Sequence, residues 1–348
     1  MNFDNPNHIF IIAEAGSNWK CGTYADDLNQ AKYLIDVAAK AGADAVKFQT
    51  YKPETTYVSN AGASDYLSKT GNVKKIEDIF KEHSMPYEMI PELFKYCKEK
   101  QIMFMSTPFS VSDAKAIDPY VEIHKIASFE INHVKLIEFL AKTNKPILIS
   151  TGASTFDEID FCIDLLKKNG CNDIVLLQCT SKYPCSINSL NLSVIPKMKS
   201  KYKFPVGLSD HSINPIVGPL ISIGLGSTVI EKHFTLDKSF DGPDHSFALD
   251  PNELQYMIKS IRQSESSFGS GIKEILDDEK ELRQFATRSI QAIKDIEKNE
   301  IFVQGKNFDI LRPGNRIRGI EPRFLSTING KKSTKFIKNG DGITDFSE

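Results

Sequence analysis

Eight short apolar runs punctuate the first three-quarters of the chain, and they limit its fold more than any other feature. They are Ile9–Ala15, Ala45–Tyr51, Ile102–Pro108, Ile123–Ser128, Pro146–Thr151, Ile174–Cys179, Pro205–Ser209 and Thr228–Phe234. Most are too short and too continuously apolar to be amphipathic helices. They read as strands buried on both faces, as parallel strands are. Helical patterns fill the gaps. Leu28, Ala31, Ile35 and Ala38 share one stripe, with Gly42 as a stop signal; Pro86–Lys100 carries Leu93 and Tyr96; Phe156–Lys168 places Ile159, Ile163 and Leu166 on one face. Strands alternating with helices make βα units on a parallel sheet. Eight such strands predict an α/β fold closed as a (β/α)8 TIM barrel, with a doubly wound open sheet as the alternative.

Two segments depart from this rhythm. Lys52–Met85, which contains Gly62 and Gly71, is long for a βα loop and predicts a partly ordered excursion over the barrel mouth. After Gly271, a charged stretch, Asp277–Arg283, predicts a helix. Short runs follow, split by turn signals at Asn299-Glu300, Gly305, Arg312-Pro313-Gly314, Gly330 and Gly340-Asp341-Gly342. They predict a small, irregular β-rich domain. The expected division is a catalytic domain over 1–280, then a linker and small domain over 281–348.

Composition narrows the function. At 348 residues and a formal net charge of -2, the chain has no electrostatic bias toward nucleic acid or an anionic membrane. No apolar stretch approaches the length of a membrane span. Met1–His8 is polar and lacks a signal-peptide core. The six cysteines, Cys21, Cys97, Cys162, Cys171, Cys179 and Cys185, form no Cys-x-x-Cys pair. They read as reduced packing thiols, so the expected location is the cytoplasm.

Catalytic groups of a barrel sit at the C-terminal ends of its strands. Polar residues cluster at that end of every proposed strand: Glu14; Lys47 and Gln49; Ser106 and Thr107; Lys125, Ser128 and Glu130; Ser150 and Thr151; Thr180, Ser181 and Tyr183; Ser209, Asp210 and His211; Glu231, Lys232 and His233. Any one alone reads as a satisfied strand end. All eight together predict a shared site, because unpaired buried polar groups are costly. Lys47 and Lys125 with several hydroxyls suit a phosphate or carboxylate, although each lysine could equally serve a neighbouring carboxylate. Lys125, Ser128 and Glu130 break the parity of a strand, so all three reach one pocket only if the chain turns near Ala127. His211 and His233 are metal candidates, or else two hydrogen-bonded histidines. Glu231 shares a face with His233, and Lys232 then points away. Gly242-Pro243-Asp244-His245 reads as a turn and is compatible with a sugar-binding loop. Trp19, the single tryptophan, reads as packing at a strand–helix corner. No nucleotide-type Gly-rich loop and no Ser/His/Asp context is recognisable.

Taken in order, these motifs resemble one family. Ile11-Ile12-Ala13-Glu14-Ala15-Gly16, Gly42-Ala43-Asp44-Ala45-Val46-Lys47-Phe48-Gln49-Thr50, Ser106-Thr107-Pro108-Phe109, Lys125-Ile126-Ala127-Ser128-Phe129-Glu130, Ser150-Thr151-Gly152, Gly207-Leu208-Ser209-Asp210-His211-Ser212, Ile230-Glu231-Lys232-His233-Phe234-Thr235, Gly242-Pro243-Asp244-His245 and Arg312-Pro313-Gly314 span essentially the whole chain. The set resembles the bacterial sialic acid synthases, among them the N-acetylneuraminate, legionaminate and pseudaminate synthases and related spore-coat polysaccharide enzymes. The resemblance implies a TIM barrel followed by a small antifreeze-like (SAF, β-clip) domain. It implies a domain-swapped homodimer in which one chain's small domain caps the other's barrel, with Arg312 reaching the partner's sugar.

The implied reaction condenses phosphoenolpyruvate with an N-acyl amino hexose, N-acetylmannosamine or a 2,4-diacetamido relative. Carried over residue by residue, His211 and His233 look like ligands of a Mn2+ or Mg2+ ion. Lys47, Thr107, Lys125, Ser128, Ser150 and Ser209 look like phosphoenolpyruvate contacts. Glu130 resembles the acid/base residue, Glu14 and Glu231 look like carboxylates around metal-bound water, and Lys125 joins Glu130 and Glu14 in the catalytic set. Tyr183, Asp244 and Arg312 look like sugar contacts. Three departures bear on the sugar. Gly16-Ser17-Asn18-Trp19 stands where many members have Asn-His, Phe129 is bulky as in the pseudaminate and spore-coat branches, and Ser181 stands where some relatives have Asn. Gly242-Pro243-Asp244, by contrast, is like the neuraminate and legionaminate types. A metal-dependent hydrolase or aldolase on the same barrel, or a non-catalytic carbohydrate-binding protein, is the competing reading, since one fold hosts many chemistries.

Overall fold

The structure, a computed structural model, describes residues 3–5, 7–63 and 75–347. Two compact units divide the chain, Met1–Gly269 and Ser270–Glu348. In the first, eight parallel strands follow the predicted runs: β1 (Phe10–Gly16), β2 (Ala45–Thr50), β3 (Met103–Pro108), β4 (His124–Ile126), β5 (Ile147–Ser150), β6 (Ile174–Cys179), β7 (Val206–Asp210) and β8 (Val229–His233). Their hydrogen-bonded order is β3-β2-β1-β8-β7-β6-β5-β4. β1 pairs with β8, and β3 lies against β4, so the ribbon curls into a barrel and the open-sheet alternative is excluded.

Alternation along each strand sorts side chains into two cores. Phe10, Ile12, Ala45, Met105, Leu148, Val175, Leu177 and Val229 fill the lower lumen. Residues of opposite parity, such as Ile11, Val46 and Ile230, or Ile126, Ile149 and Leu176, pack outward against the helices. The helices form where periodicity and capping agree. Tyr24–Ala41 starts from a Thr23–Asp26 capping box and ends at Gly42 in the left-handed region. Met89–Glu99 buries Leu93. Phe156–Lys168 starts from a Thr155–Glu158 box and buries Ile159, Ile163 and Leu166. Each such cap is worth about 1 kcal/mol.

One detail differs from the sequence reading and another fills it in. The fourth run ends as a strand at Ile126 rather than Ser128. Ala127 stays extended, and Ser128–Glu130 coils into a 3-10 turn. The Lys52–Met85 excursion contains helices Pro53–Thr56 and Ile76–Glu82, anchored by Tyr51 against Phe80 and by Lys52 on Ser84 Oγ and Met85 O. Gly71, with the rest of 64–74, lies outside the described residues. No helix among the described residues is long and apolar enough to cross a membrane.

The second unit opens with a 3-10 turn, Asp277–Glu279, and a helix, Lys280–Ala286. β9 (Ser289–Ala292) and β10 (Phe308–Leu311) then pair antiparallel, and isolated bridges tie in the remaining short runs. A separate small core, including Ile290, Ile296, Phe302, Phe308, Ile337 and Ile343, supports them.

Candidate active site

The upper lumen is polar where the lower lumen is apolar. Lys47 follows Ala45 on the inward face of β2, and Glu14 follows Phe10 and Ile12 on β1. Lys47 Nζ lies 2.6 Å from Glu14 Oε2, 2.9 Å from Thr107 Oγ1 and 3.6 Å from Glu231 Oε2. Lys125 Nζ donates to Ser150 Oγ at 2.7 Å and lies 3.9 Å from Glu231 Oε1. Ser209 Oγ donates to Glu231 Oε1 at 3.0 Å. Two lysines, two carboxylates and three hydroxyls from seven strands therefore form one buried network; Lys47 is 3% exposed and Glu14 1%.

One group in this network stands out for proton transfer. Burial pushes Glu14 up to about 7; Lys47 opposes the shift and Glu231 adds to it. Burial acts on Glu231 too, but Lys125 and Lys47 together hold its carboxyl below the usual range. Lys47 is held up, against burial, by the two carboxylates, whereas burial pulls Lys125 down. An acid near neutrality can both give and take a proton at working pH.

The 3-10 turn Ser128–Glu130 carries the residues after β4 to different places. Ser128 Oγ accepts the Gly152 N–H at 3.0 Å, at the end of β5. Glu130 is half-buried, and burial with the Asp113 carboxylate raises it to about 7. Among the described residues its carboxylate makes no hydrogen bond to the lysine network.

Above the network the two histidine rings lie 5.4 Å apart, centroid to centroid. Thr180 O lies 3.0 Å from His211 Nδ1, so an N–H there leaves Nε2 with its lone pair. His233 Nδ1 is buried with no hydrogen-bond partner, and Asp244 Oδ2 lies 3.9 Å from it. Burial, with His211 next, holds His233 well below its ordinary value, so the ring is a neutral donor. Tyr183 lies 4.1 Å from the His211 ring. Ser17 Oγ donates to Asp244 at 3.2 Å. Gly16, at φ +53°, makes this seat: a Cβ there would come within 2.7 Å of Asp244 Oδ2.

Two imidazoles, one of them neutral with an orphaned buried nitrogen, beside a carboxylate form a donor set that fits a borderline divalent cation. No group of three or more His, Cys, Asp or Glu side chains able to hold a metal occurs among the described residues. An ion on the histidine pair would thus draw its other ligands from water or substrate, leaving open positions for chemistry.

Of the residues singled out in the sequence, Arg312 belongs to the second unit, where it is exposed just after β10. Gln49, on the same face as Lys47, donates to Glu14 at 3.1 Å. Two neighbours of the site were not singled out as part of it: Ser17 holds Asp244, and Cys179 Sγ lies 3.8 Å from His211 Nδ1. Strand parity could have found Cys179, which shares a face with Val175 and Leu177.

The chain matches known proteins along nearly its whole length. The NeuB family profile matches residues 34–273. Pseudaminic acid synthase of Campylobacter jejuni is 38% identical over 349 residues, 98% of this chain and 97% of the relative. N,N'-diacetyllegionaminic acid synthase of the same species is 37% identical, covering 96% of this chain and 98% of the relative. The crystal structure of the spore coat polysaccharide biosynthesis protein SpsE of Bacillus subtilis is 36% identical. It covers 97% of this chain and 94% of that one, with a TM-score of 0.65.

Proposed function

This chain belongs to the NeuB family of carbon–carbon bond-forming synthases, and from that premise we propose that it joins phosphoenolpyruvate to an N-acyl amino hexose, giving a nonulosonic acid and phosphate. The observation that carries the reading is the convergence of Lys47, Lys125, Thr107, Ser150 and Ser209 in the barrel lumen beneath two histidines. Phosphoenolpyruvate is small and multiply anionic, and this is the one cationic, hydroxyl-lined part of the lumen among the described residues. Lys47 and Lys125 neutralise its carboxylate and phosphate, and the hydroxyls donate to their oxygens. Ser128 closes the same end through its bond to the Gly152 amide.

His211 and His233 would hold a Mn2+ or Mg2+ ion, which when bound supplies Lewis-acid polarisation of the sugar aldehyde. In the condensation, carbon 3 of phosphoenolpyruvate bonds to the aldehyde carbon. Water adds to carbon 2, and the tetrahedral adduct expels phosphate by C–O cleavage. Glu14 and Glu130, both raised to about 7, hold and release the protons these steps exchange. Tyr183 and Asp244 flank the histidines and orient the sugar hydroxyls. Fixing both reactants in contact removes much of the entropic barrier. The sugar is of the 2-acetamido or 2,4-diacetamido class.

The test is incubation with phosphoenolpyruvate, Mn2+ and a panel of such hexoses, read by phosphate release and product mass. A condensed acid with equimolar phosphate is expected. Phosphate without a condensed product would point to a hydrolase. Sugar binding without turnover, indifferent to chelators, would point to a carbohydrate-binding protein.

The second unit has its own part in this proposal. We propose that it is antifreeze-like and that, in a homodimer, its Arg312 covers the partner's sugar. Arg312→Ala is expected to raise KM for the sugar by roughly 10- to 100-fold, as loss of a charged hydrogen bond does, with KM for phosphoenolpyruvate unchanged. Equal effects on both constants would remove Arg312 from the sugar end.

A further inference from the structure

Behind the histidine pair, on the outer face of the same two strands, lies a buried ion pair that the chemistry above does not use. β7 and β8 turn Ser209, Glu231 and His233 toward the lumen, so Asp210 and Lys232 face the helices. The two are cross-strand partners in register. Lys232 Nζ donates to Asp210 Oδ2 at 2.6 Å, to Ser212 O at 2.6 Å and to Ser212 Oγ at 3.3 Å. Ser212 answers with its N–H to Asp210 Oδ1 at 2.8 Å and its hydroxyl to Oδ2 at 3.1 Å. Asp210 and Lys232 are each 1% exposed and Ser212 2%. The helix Val217–Gly224 seals the knot, for a Cβ on Gly218 would come within 2.7 Å of Asp210 Oδ2.

A buried ion pair is a poor source of stability, because desolvating both charges offsets their attraction. Its distinctive property is directional. Five hydrogen bonds leave the peptides of 210–212 one arrangement, and His211 is the middle residue of that segment. The same ammonium is rooted between Glu231 and His233. His211 has an anchor of its own at Thr180 O, but the His233 ring has no hydrogen bond at Nδ1. Its position therefore depends on where the end of β8 is held.

We infer that Asp210 and Lys232 are positioning residues that fix the spacing of the His211 and His233 imidazoles for a divalent cation, an inference that rests on reading that pair as a metal site. Replacing both with neutral, similarly sized groups, Asp210→Asn with Lys232→Met, removes the knot without stranding a charge. Mn2+ titration of the full chain, followed by electron paramagnetic resonance, reads the site directly, and circular dichroism melting reads the fold. The double variant is expected to fold and to bind Mn2+ roughly 10- to 100-fold more weakly, the usual effect of losing an outer-shell partner. Ser212→Ala, which removes one hydroxyl, is expected to weaken binding severalfold.

A folded double variant that binds Mn2+ like the parent overturns the inference. If the double variant does not fold, parental affinity in Ser212→Ala overturns it. His233→Ala separates this inference from the metal reading. A parent chain that binds no Mn2+, or a His233→Ala variant that binds as the parent does, defeats both. Binding lost in His233→Ala but kept in the double variant defeats only the role of Asp210 and Lys232.

Discussion

Alanine in place of His233 is expected to lower metal-dependent turnover by roughly a thousandfold, equivalent to about 4 kcal/mol of transition-state stabilisation. The fold should survive. His233 is buried and neutral, with Nδ1 unpartnered, so its removal strands no charge and relieves one unpaired polar atom. The remaining penalty is the lost packing of the ring against Phe247, 5.2 Å away, and Tyr183, 6.3 Å away. The melting temperature should fall by only a few degrees, since about 1 kcal/mol shifts a chain of this size by that much. Turnover measured across Mn2+ concentrations, beside a thermal melt, checks both halves. Unchanged Mn2+ dependence would defeat the role given to this histidine.

Lys47→Met should do more harm to the molecule as a whole. The ammonium lies 2.6 Å from Glu14 and 3.6 Å from Glu231, and without it both carboxylates remain buried beside each other with Lys125 as the remaining cation of the network. Breaking a buried pair in this way costs about 3–5 kcal/mol at neutral pH. KM for phosphoenolpyruvate should rise by roughly 10- to 100-fold, as charge-assisted bonds worth about 1.5–3 kcal/mol are lost.

The stability loss should depend on pH. Glu14 already stands at about 7 in the folded chain against an ordinary value of 4.5, and loss of Lys47 raises it further. Between 4.5 and that raised value the folded chain holds a proton that the unfolded chain has released. Stability therefore falls as pH rises through this window. The gap in melting temperature between variant and parent should be wide near pH 8 and narrow as pH approaches 5. A gap that widens on acidification would mean that Glu14 stays charged for another reason.

The two variants test different links in one chain of argument. In the proposed reaction His233 acts on the sugar and barely on the fold. There Lys47 acts on substrate and fold together, one ammonium serving both. On that proposal the four charged groups of the upper lumen are kept for substrate as well as for one another, whereas the lower lumen has none among the described residues.

Much of this architecture is legible in the order of residues. Parallel strands buried on both faces require continuous apolar runs, so eight such runs located β1 to β8. Strand parity is local, so it correctly turned Glu231 with His233 inward and Lys232 away. The helix stop at Gly42 was visible because capping is a matter of adjacent residues.

Which charges meet was not legible. Glu14 and Lys47 come together because β1 and β2 pair with Glu14 opposite Lys47, and Lys125 reaches Glu231 across the lumen from the far side of the barrel. The partner of the outward-facing Lys232 depends on the register of β7 and β8. The separation of Ser128 from Glu130 depends on a 3-10 turn that begins at the last residue of a run that reads as strand. Parity and capping are properties of neighbouring residues, and the amino-acid order states them directly. Register, barrel closure and height along the lumen are relations between strands distant in the chain, and they exist only once all eight strands have packed around a common axis.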